Sequence, residues 1–325
     1  MDPASAATSL ESLGRRLIEG LCGQVYGQRE VIESLAVGLI CGGHLLLEGP
    51  PGTAKTTLVK RLSELSGAGF RRIQLTPDML PAEIVGASVY DLNSRAFRFS
   101  PGPVFTDLLL ADEINRTPPK TQSALLEAME ERQVTVDGER HALSPLFTVM
   151  ATLNPIEFEG TYPLPEAQLD RFMMKIRIDY PPMEAERRML ESAAGLNEDA
   201  AGRSASGEPL AAQTSPEEIM ACRRALSAIR VDGQIMDYLL QILHDTRRNP
   251  ALDLGCSPRA ALALMSAARA FAALSGDDFV TPDHVKVAAP AVMRHRLILS
   301  AQAELDGLTA DDIVRQTLGK IPAPK

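Results

Sequence analysis

The chain contains no tryptophan, and all aromatics together make up only 4% of its 325 residues. A platform that stacks successive nucleobases on aromatic rings is therefore not expected. Positive charge is also scarce: 33 Lys and Arg face 42 Asp and Glu, giving a net charge of −9. That balance opposes sequence-independent binding to DNA, whose energy comes from basic side chains neutralising phosphates. The four cysteines, Cys22, Cys41, Cys222 and Cys256, form no C-x-x-C pair and have no histidine at metal-ligand spacing. They are too few and too scattered for a disulfide framework, which fits a reducing compartment. Long apolar runs are missing as well. The longest, residues 35–47, is broken by Gly42, Gly43 and His44, and no run reaches the ~18 residues of a membrane span. The first ten residues lack the basic-then-apolar order of a secretory leader. The expectation is a soluble, cytoplasmic protein without a membrane span. The five histidines are scattered and read as structural, with His295, between Arg294 and Arg296, assigned to a small basic surface.

What is present is an ordinary globular composition, 45% apolar, in a chain long enough to bury a core without disulfides or metal. After a loose start and helical residues to about 43, short apolar runs recur at 44–47, 72–75, 108–111, 147–152 and 172–178. Each has strand length, and helical patterns separate most of them, which predicts a parallel sheet with right-handed crossovers. Two stretches read as β-hairpins: 87–99, turning near Asp91–Ser94, and 133–143, turning at Asp137-Gly138. Beyond residue 182 strand signals stop and the pattern is helical. Residues 197–214, rich in Gly, Ala, Ser and Glu, read as a loop or insertion. Thr117-Pro118, Ser215-Pro216, Ser257-Pro258 and Thr281-Pro282 each read as a cap followed by a first-turn proline, and Ser215 with Glu218 as a capping box. The predicted organisation is an α/β domain over 1–181 and an all-α domain over 182–325.

Gly49-Pro50-Pro51-Gly52-Thr53-Ala54-Lys55-Thr56 follows the first predicted strand and precedes a helix at 55–65. This is the context of a Walker A phosphate loop. Gly49 and Gly52 permit the tight turn, and backbone N–H groups of residues 52–57, Thr57 included, would cradle the β- and γ-phosphates at a helix N-terminus. Lys55 supplies charge to the phosphates, and the Thr56 hydroxyl is expected to coordinate Mg²⁺. Ala54 stands where the general motif has glycine, and its methyl is expected to be tolerated at negative φ. Leu108 to Glu113 is an apolar run ending in two carboxylates, as at the end of a buried parallel strand. Ligands of such sheets bind at the carboxyl ends of strands. Asp112 is then placed beside the loop to hold Mg²⁺, and Glu113 to orient and activate the attacking water. The chain contains no Asn-Lys-x-Asp guanine-reading motif, so ATP is the expected nucleotide.

Several long stretches now carry a resemblance: residues 48–57 (EGPPGTAKTT), 72–81 (RIQLTPDMLP), 101–135, 151–172 (ATLNPIEFEGTYPLPEAQLDRF), 255–260 (GCSPRA), 280–284 (VTPDH) and 293–297 (MRHRL). They resemble the MoxR family of AAA+ ATPases over nearly the whole chain, and Ala54 is similar to what that family uses. The resemblance implies a P-loop AAA+ core, a parallel sheet sandwiched by helices with β-hairpin insertions, followed by an all-α lid. The hairpin at 87–99 resembles the helix-2 insertion of this branch. Further roles follow from the resemblance alone. Asn154 resembles the sensor-1 residue that positions the lytic water. Arg171 resembles an arginine finger acting on a neighbouring subunit, with Arg116 a second candidate. Arg259 resembles sensor 2, contacting phosphate from the lid, and Gly27-Gln28 resembles the segment flanking the adenine.

The family implies a homo-oligomer, a hexameric ring, with ATP and Mg²⁺ as ligands. It also implies a chaperone-like role in remodelling or activating protein complexes, often with a partner bearing a von Willebrand factor A domain. The alternative is a nucleic-acid-associated AAA+ motor or transcription regulator. Against it stand the net charge, the absence of a GAFTGA loop and the lack of an evident helix-turn-helix after residue 257. Direct nucleic-acid binding is therefore not expected. Client contact is expected at Tyr90, Phe97 and Phe99 in the first hairpin and at residues 134–139 in the second.

Overall fold

The computed structural model describes residues 2–154, 160–194 and 210–324. Most of the expected loop at 197–214 lies outside the described residues. The chain opens with a helix rather than a loose start: α1 (Pro3–Cys22) buries Leu10, Leu13, Leu17 and Leu21 along one stripe, the spacing of an amphipathic face. α2 (Arg29–Cys41) follows. The core then runs β1 (Leu45–Glu48), α3 (Lys55–Ser66), β2 (Phe70–Gln74), α4 (Pro81–Val85), β3 (Gly86–Asp91), β4 (Ala96–Pro101), β5 (Leu108–Asp112), α5 (Pro119–Glu131), β6 (Gln133–Val136), β7 (Glu139–Ala142), β8 (Thr148–Leu153), α6 (Glu166–Leu169) and β9 (Met174–Arg177).

Five strands form one parallel sheet in the order β2-β5-β8-β1-β9. Alternation along the three inner strands β1, β5 and β8 divides their side chains between two cores. Leu45, Leu47, Leu108, Leu110 and Met150 join α1, α2, α3 and the C-terminal helices, while Leu46, Leu109, Ala111 and Val149 join α5. Strands buried on both faces read as unbroken apolar runs, which is why the sequence showed β1, β5 and β8. The hairpins β3–β4 and β6–β7 pair as expected, and Asp137 and Gly138 both have positive φ at the second turn.

The C-terminal part comprises α7 (Met183–Ala193), α8 (Pro216–Ala225), α9 (Gly233–Thr246), β10 (Leu252–Leu254), α10 (Pro258–Leu274), α11 (Pro282–Met293), β11 (Ile298–Leu299), α12 (Ala301–Leu305) and α13 (Ala310–Lys320). Among its described residues it is helical apart from the short antiparallel pair β10–β11 and an isolated bridge between Arg230 and Phe279, which the helical reading of 183–325 did not include.

Three expected helix starts hold: Ser215, Ser257 and Thr281 are N-caps. Thr117 is not one. α5 begins at Pro119 with Pro118 as its cap, because a residue before proline is pushed out of the helical region. Ser215 accepts from the Glu218 N–H, but the Glu218 carboxylate accepts from Thr214 and Arg16 instead of completing a box. His295 is buried rather than part of a basic surface. Its Nε2 lies 3.0 Å from the Phe172 carbonyl oxygen, and burial holds its pKa well below the usual value.

Candidate active site

β1 lies between β8 and β9, so the loop leaving its carboxyl end opens at a switch in strand order. Two glycines make the loop possible. A Cβ on Gly49 would lie 2.1 Å from the Ile178 carbonyl oxygen, and Gly52 has φ +82°. The loop enters α3 through Ala54, at φ 63° and ψ 20°. This overturns the expected negative φ: the turn into the helix uses the left-handed region that glycine enters freely and that costs an L-residue about 1–2 kcal/mol. No side chain caps α3, which leaves its first-turn N–H groups oriented toward the cleft as an anion site. Lys55 Nζ donates to the Gly49 and Pro50 carbonyls, each at 2.7 Å. Burial lowers its pKa, while Asp112 and Glu113 pull it back up.

A cleft of about 440 Å³ gathers Pro51 to Thr57 from the loop and α3, Arg72 and Gln74 from β2, Asp112 at the end of β5 with Glu113 just after it, and Thr152 of β8 with Asn154 just beyond that strand. Gly49 and Pro50, at the loop base, line an adjoining cavity of about 270 Å³. Asp112 is buried. Its Oδ2 accepts from Arg72 Nε at 2.6 Å and its Oδ1 from Thr152 Oγ1 at 3.2 Å. Thr152 in turn accepts the Glu113 N–H at 2.9 Å, so one hydroxyl fixes both acidic residues. Glu113 itself has φ 58°, a conformation that costs of order 1–3 kcal/mol and gathers at functional sites. Its Oε2 accepts from Gln74 Nε2 at 2.6 Å and lies 3.2 Å from Arg116 Nε. Arg116 therefore faces the acidic residue of its own chain. The hydroxyl of Thr56 and the carboxylate of Asp112, two hard oxygen donors in one cleft, fit Mg²⁺.

Sequence reasoning gave no role to Arg72, Gln74 or Thr152. Arg72 and Gln74, two apart on a strand, share a face, but their place beside the carboxylates comes from β2 pairing with β5 so that Gln74 lies opposite Asp112, which no local pattern shows.

Arg171 and Arg259 are not among the residues that line the cleft of their own chain. β9 pairs with β1 from Met174 opposite Leu45 to Arg177 opposite Glu48. Arg171 precedes β9, so it lies at the end of the strands away from the phosphate loop. The separation is roughly 10 Å or more at about 3.3 Å per strand residue. Arg259, in the first turn of α10, meets it there. Arg171 Nη2 lies 2.9 Å from Glu130 Oε2 and Arg259 Nη2 lies 2.6 Å from Glu130 Oε1. Gln28, from the segment expected near adenine, is buried and donates through Nε2 to the Asp179 carbonyl at 3.3 Å.

A parallel sheet with a phosphate loop after one central strand and an acidic pair ending another, followed by a helical lid, is the build of an AAA ATPase. Residues 44–174 match the family model described as ATPase family associated with various cellular activities (AAA), and residues 244–317 match the AAA lid domain. The chain is 42% identical to the protein YeaC of Bacillus subtilis, covering 97% of this chain and 96% of that one. It is 39% identical to Chaperone MoxR1 of Mycobacterium tuberculosis, covering 93% and 80%. A crystal structure of a protein from Cytophaga hutchinsonii superposes with a TM-score of 0.87 at 35% identity, covering 99% and 98%. The chain belongs to the MoxR family of AAA+ ATPases. Membership implies nucleotide binding. Among the described residues no helix is long and apolar enough to cross a membrane.

Proposed function

We propose that this chain binds ATP with Mg²⁺ and hydrolyses it, working as a ring of identical subunits, a hexamer, that remodels or activates a protein client in the cytoplasm. The observation that carries this reading is the convergence of the loop 51–57, Asp112, Glu113 and Asn154 in one cleft. In it residues 1–181 act as the nucleotide-binding core and 182–325 as the lid. The N–H groups of the loop and α3 cradle the phosphates, and Lys55 leaves its carbonyls for them. Thr56 and Asp112 hold Mg²⁺, which neutralises charge on the phosphates. Glu113, released from Gln74 and Arg116, orients the attacking water, and Asn154 fixes that water from just beyond β8. Arg171, with Arg259 beside it, reaches the γ-phosphate of the next subunit. Its place at the far end of the strands supports a role across an interface rather than at its own nucleotide. A head-to-tail contact of that kind closes into a ring.

The client side of the reading draws on the family, with a von Willebrand factor A domain protein as the partner class. The β3–β4 hairpin supports contact there, since Leu92 and Phe97 at its end are 82% and 72% exposed. Phe99 does not share that role: it stacks on His141 and packs edge-on against Phe105. Three variants test the site. Lys55→Ala should lose ATP binding. Glu113→Gln should hold ATP without turnover. Arg171→Ala should bind ATP and hydrolyse it poorly, and mixing it with Glu113→Gln subunits should restore part of the rate. Normal hydrolysis by Arg171→Ala alone would remove the cross-subunit role.

A further inference from the structure

We propose that Glu130 is a positioning residue that locks Arg171 and Arg259 into one two-arginine unit, so that both reach the same γ-phosphate of a neighbouring subunit. This rests on the cross-subunit reading of Arg171 given above. Glu130 is the penultimate residue of α5, and its two carboxylate oxygens are divided, one to each guanidinium, at 2.9 Å and 2.6 Å. The two arginines pull its carboxyl below the usual carboxylate range, the hydrogen bond from Arg259 being the larger cause. A carboxylate between two cations relieves the repulsion that would otherwise hold the guanidinium groups apart. It also removes rotamer freedom from two long side chains before any phosphate arrives. Each arginine commits one terminal nitrogen to Glu130, and a guanidinium carries five N–H donors.

The backbones beneath the two tips are fixed by a second, separate set of bonds. Arg296 reaches from the lid to the 170–173 segment, with Nε 2.6 Å from Asp170 Oδ1, Nη2 2.7 Å from the Phe172 carbonyl oxygen and Nη1 3.0 Å from that of Met173. Ser257, the N-cap of α10 two residues before Arg259, donates to Asp170 Oδ2 at 2.9 Å. Asp170 therefore joins core to lid below the arginines, and Glu130 joins them at their tips. Core and lid present one rigid pair of charges. An arginine held by outer contacts within about 0.5 Å of its working place contributes to a transition state that a loose one misses.

The test uses the full chain at a concentration where wild type turns over. Glu130→Ala should lower kcat roughly tenfold and leave both KM and directly measured ATP affinity within about twofold, because the two arginines act on charge that develops in the transition state. Its effect should vanish without its targets: adding Glu130→Ala to the Arg171→Ala/Arg259→Ala pair should leave turnover within about twofold of that pair. Unchanged kcat in Glu130→Ala, or a full additional loss when it is added to the Arg171→Ala/Arg259→Ala pair, overturns the proposal. The two layers separate cleanly. If Arg171→Ala itself hydrolyses like wild type, the cross-subunit reading fails. If Arg171→Ala is slow and Glu130→Ala is not, only the positioning role fails.

Discussion

Ala54→Gly should stabilise this protein, an unusual direction for a substitution that removes a methyl group from a helix start. The reason is the backbone angle. At φ 63° and ψ 20° the Ala54 Cβ crowds the following carbonyl, a cost of about 1–2 kcal/mol that glycine does not have. Glycine gives part of this back, because its unfolded chain is freer by about 0.4–1 kcal/mol. The difference leaves a net gain of about 0.5–1 kcal/mol in urea midpoint comparisons at constant slope. Ala54→Val is the sharper half of the pair. A β-branched residue is a genuine outlier at positive φ, so valine should lose more than glycine gains. Neither change alters the charge of the cleft, so ATP affinity of the glycine variant should stay close to wild type. If Ala54→Gly is destabilised and Ala54→Val is not, the loop does not use the left-handed geometry.

Two other perturbations test the surroundings of the site. His44 is buried, with Nδ1 accepting from the Val149 N–H at 2.9 Å and Nε2 3.1 Å from the Met129 carbonyl oxygen. Burial, with Arg132 and Arg223 nearby, pushes its pKa down to about 4. The unfolded chain binds this proton near pH 6.5 and the folded chain does not, so stability falls as pH drops from 6.5 toward 4. The loss is roughly 2 kcal/mol between about pH 7 and pH 5. His295 adds to it in the same direction. Urea midpoints of His44→Leu should show a flatter acid slope than wild type, and an equal slope would rule the assignment out. Arg296 has a side chain only 2% exposed and pairs with Asp170. Arg296→Ala breaks a buried ion pair and should cost about 3–5 kcal/mol in thermal or urea unfolding, whereas a loss under about 1 kcal/mol would mean the core–lid seam carries no such energy.

The site was legible where chemistry is local in the chain. The loop from Gly49 to Thr56 declares itself because phosphate binding needs consecutive backbone N–H groups beside a lysine and a hydroxyl. Asp112 and Glu113 declare themselves because a doubly buried strand is an apolar run and its end is where polarity returns. Sequence pattern did not reveal the sign of φ at Ala54, since an alanine ordinarily avoids the left-handed region. Nor did it reveal that Arg72 and Gln74 hold the two carboxylates, because that depends on β2 pairing with β5 at a register no local pattern records. The misplaced start of α5 was readable in principle from the adjacent prolines.

By itself the sequence determined the strand and hairpin positions, the phosphate loop, the acidic strand end and the helical second half. These follow from periodicity, turn chemistry and short-range spacing, which act between neighbours in the chain. Only the tertiary structure decided that His295 is buried, that β10 and β11 pair, and that Arg171 and Arg259, 88 positions apart (259 − 171 = 88), share one carboxylate. Those outcomes rest on contacts between distant segments, fixed when the lid helices close over the face of the sheet that α1 and α2 also cover.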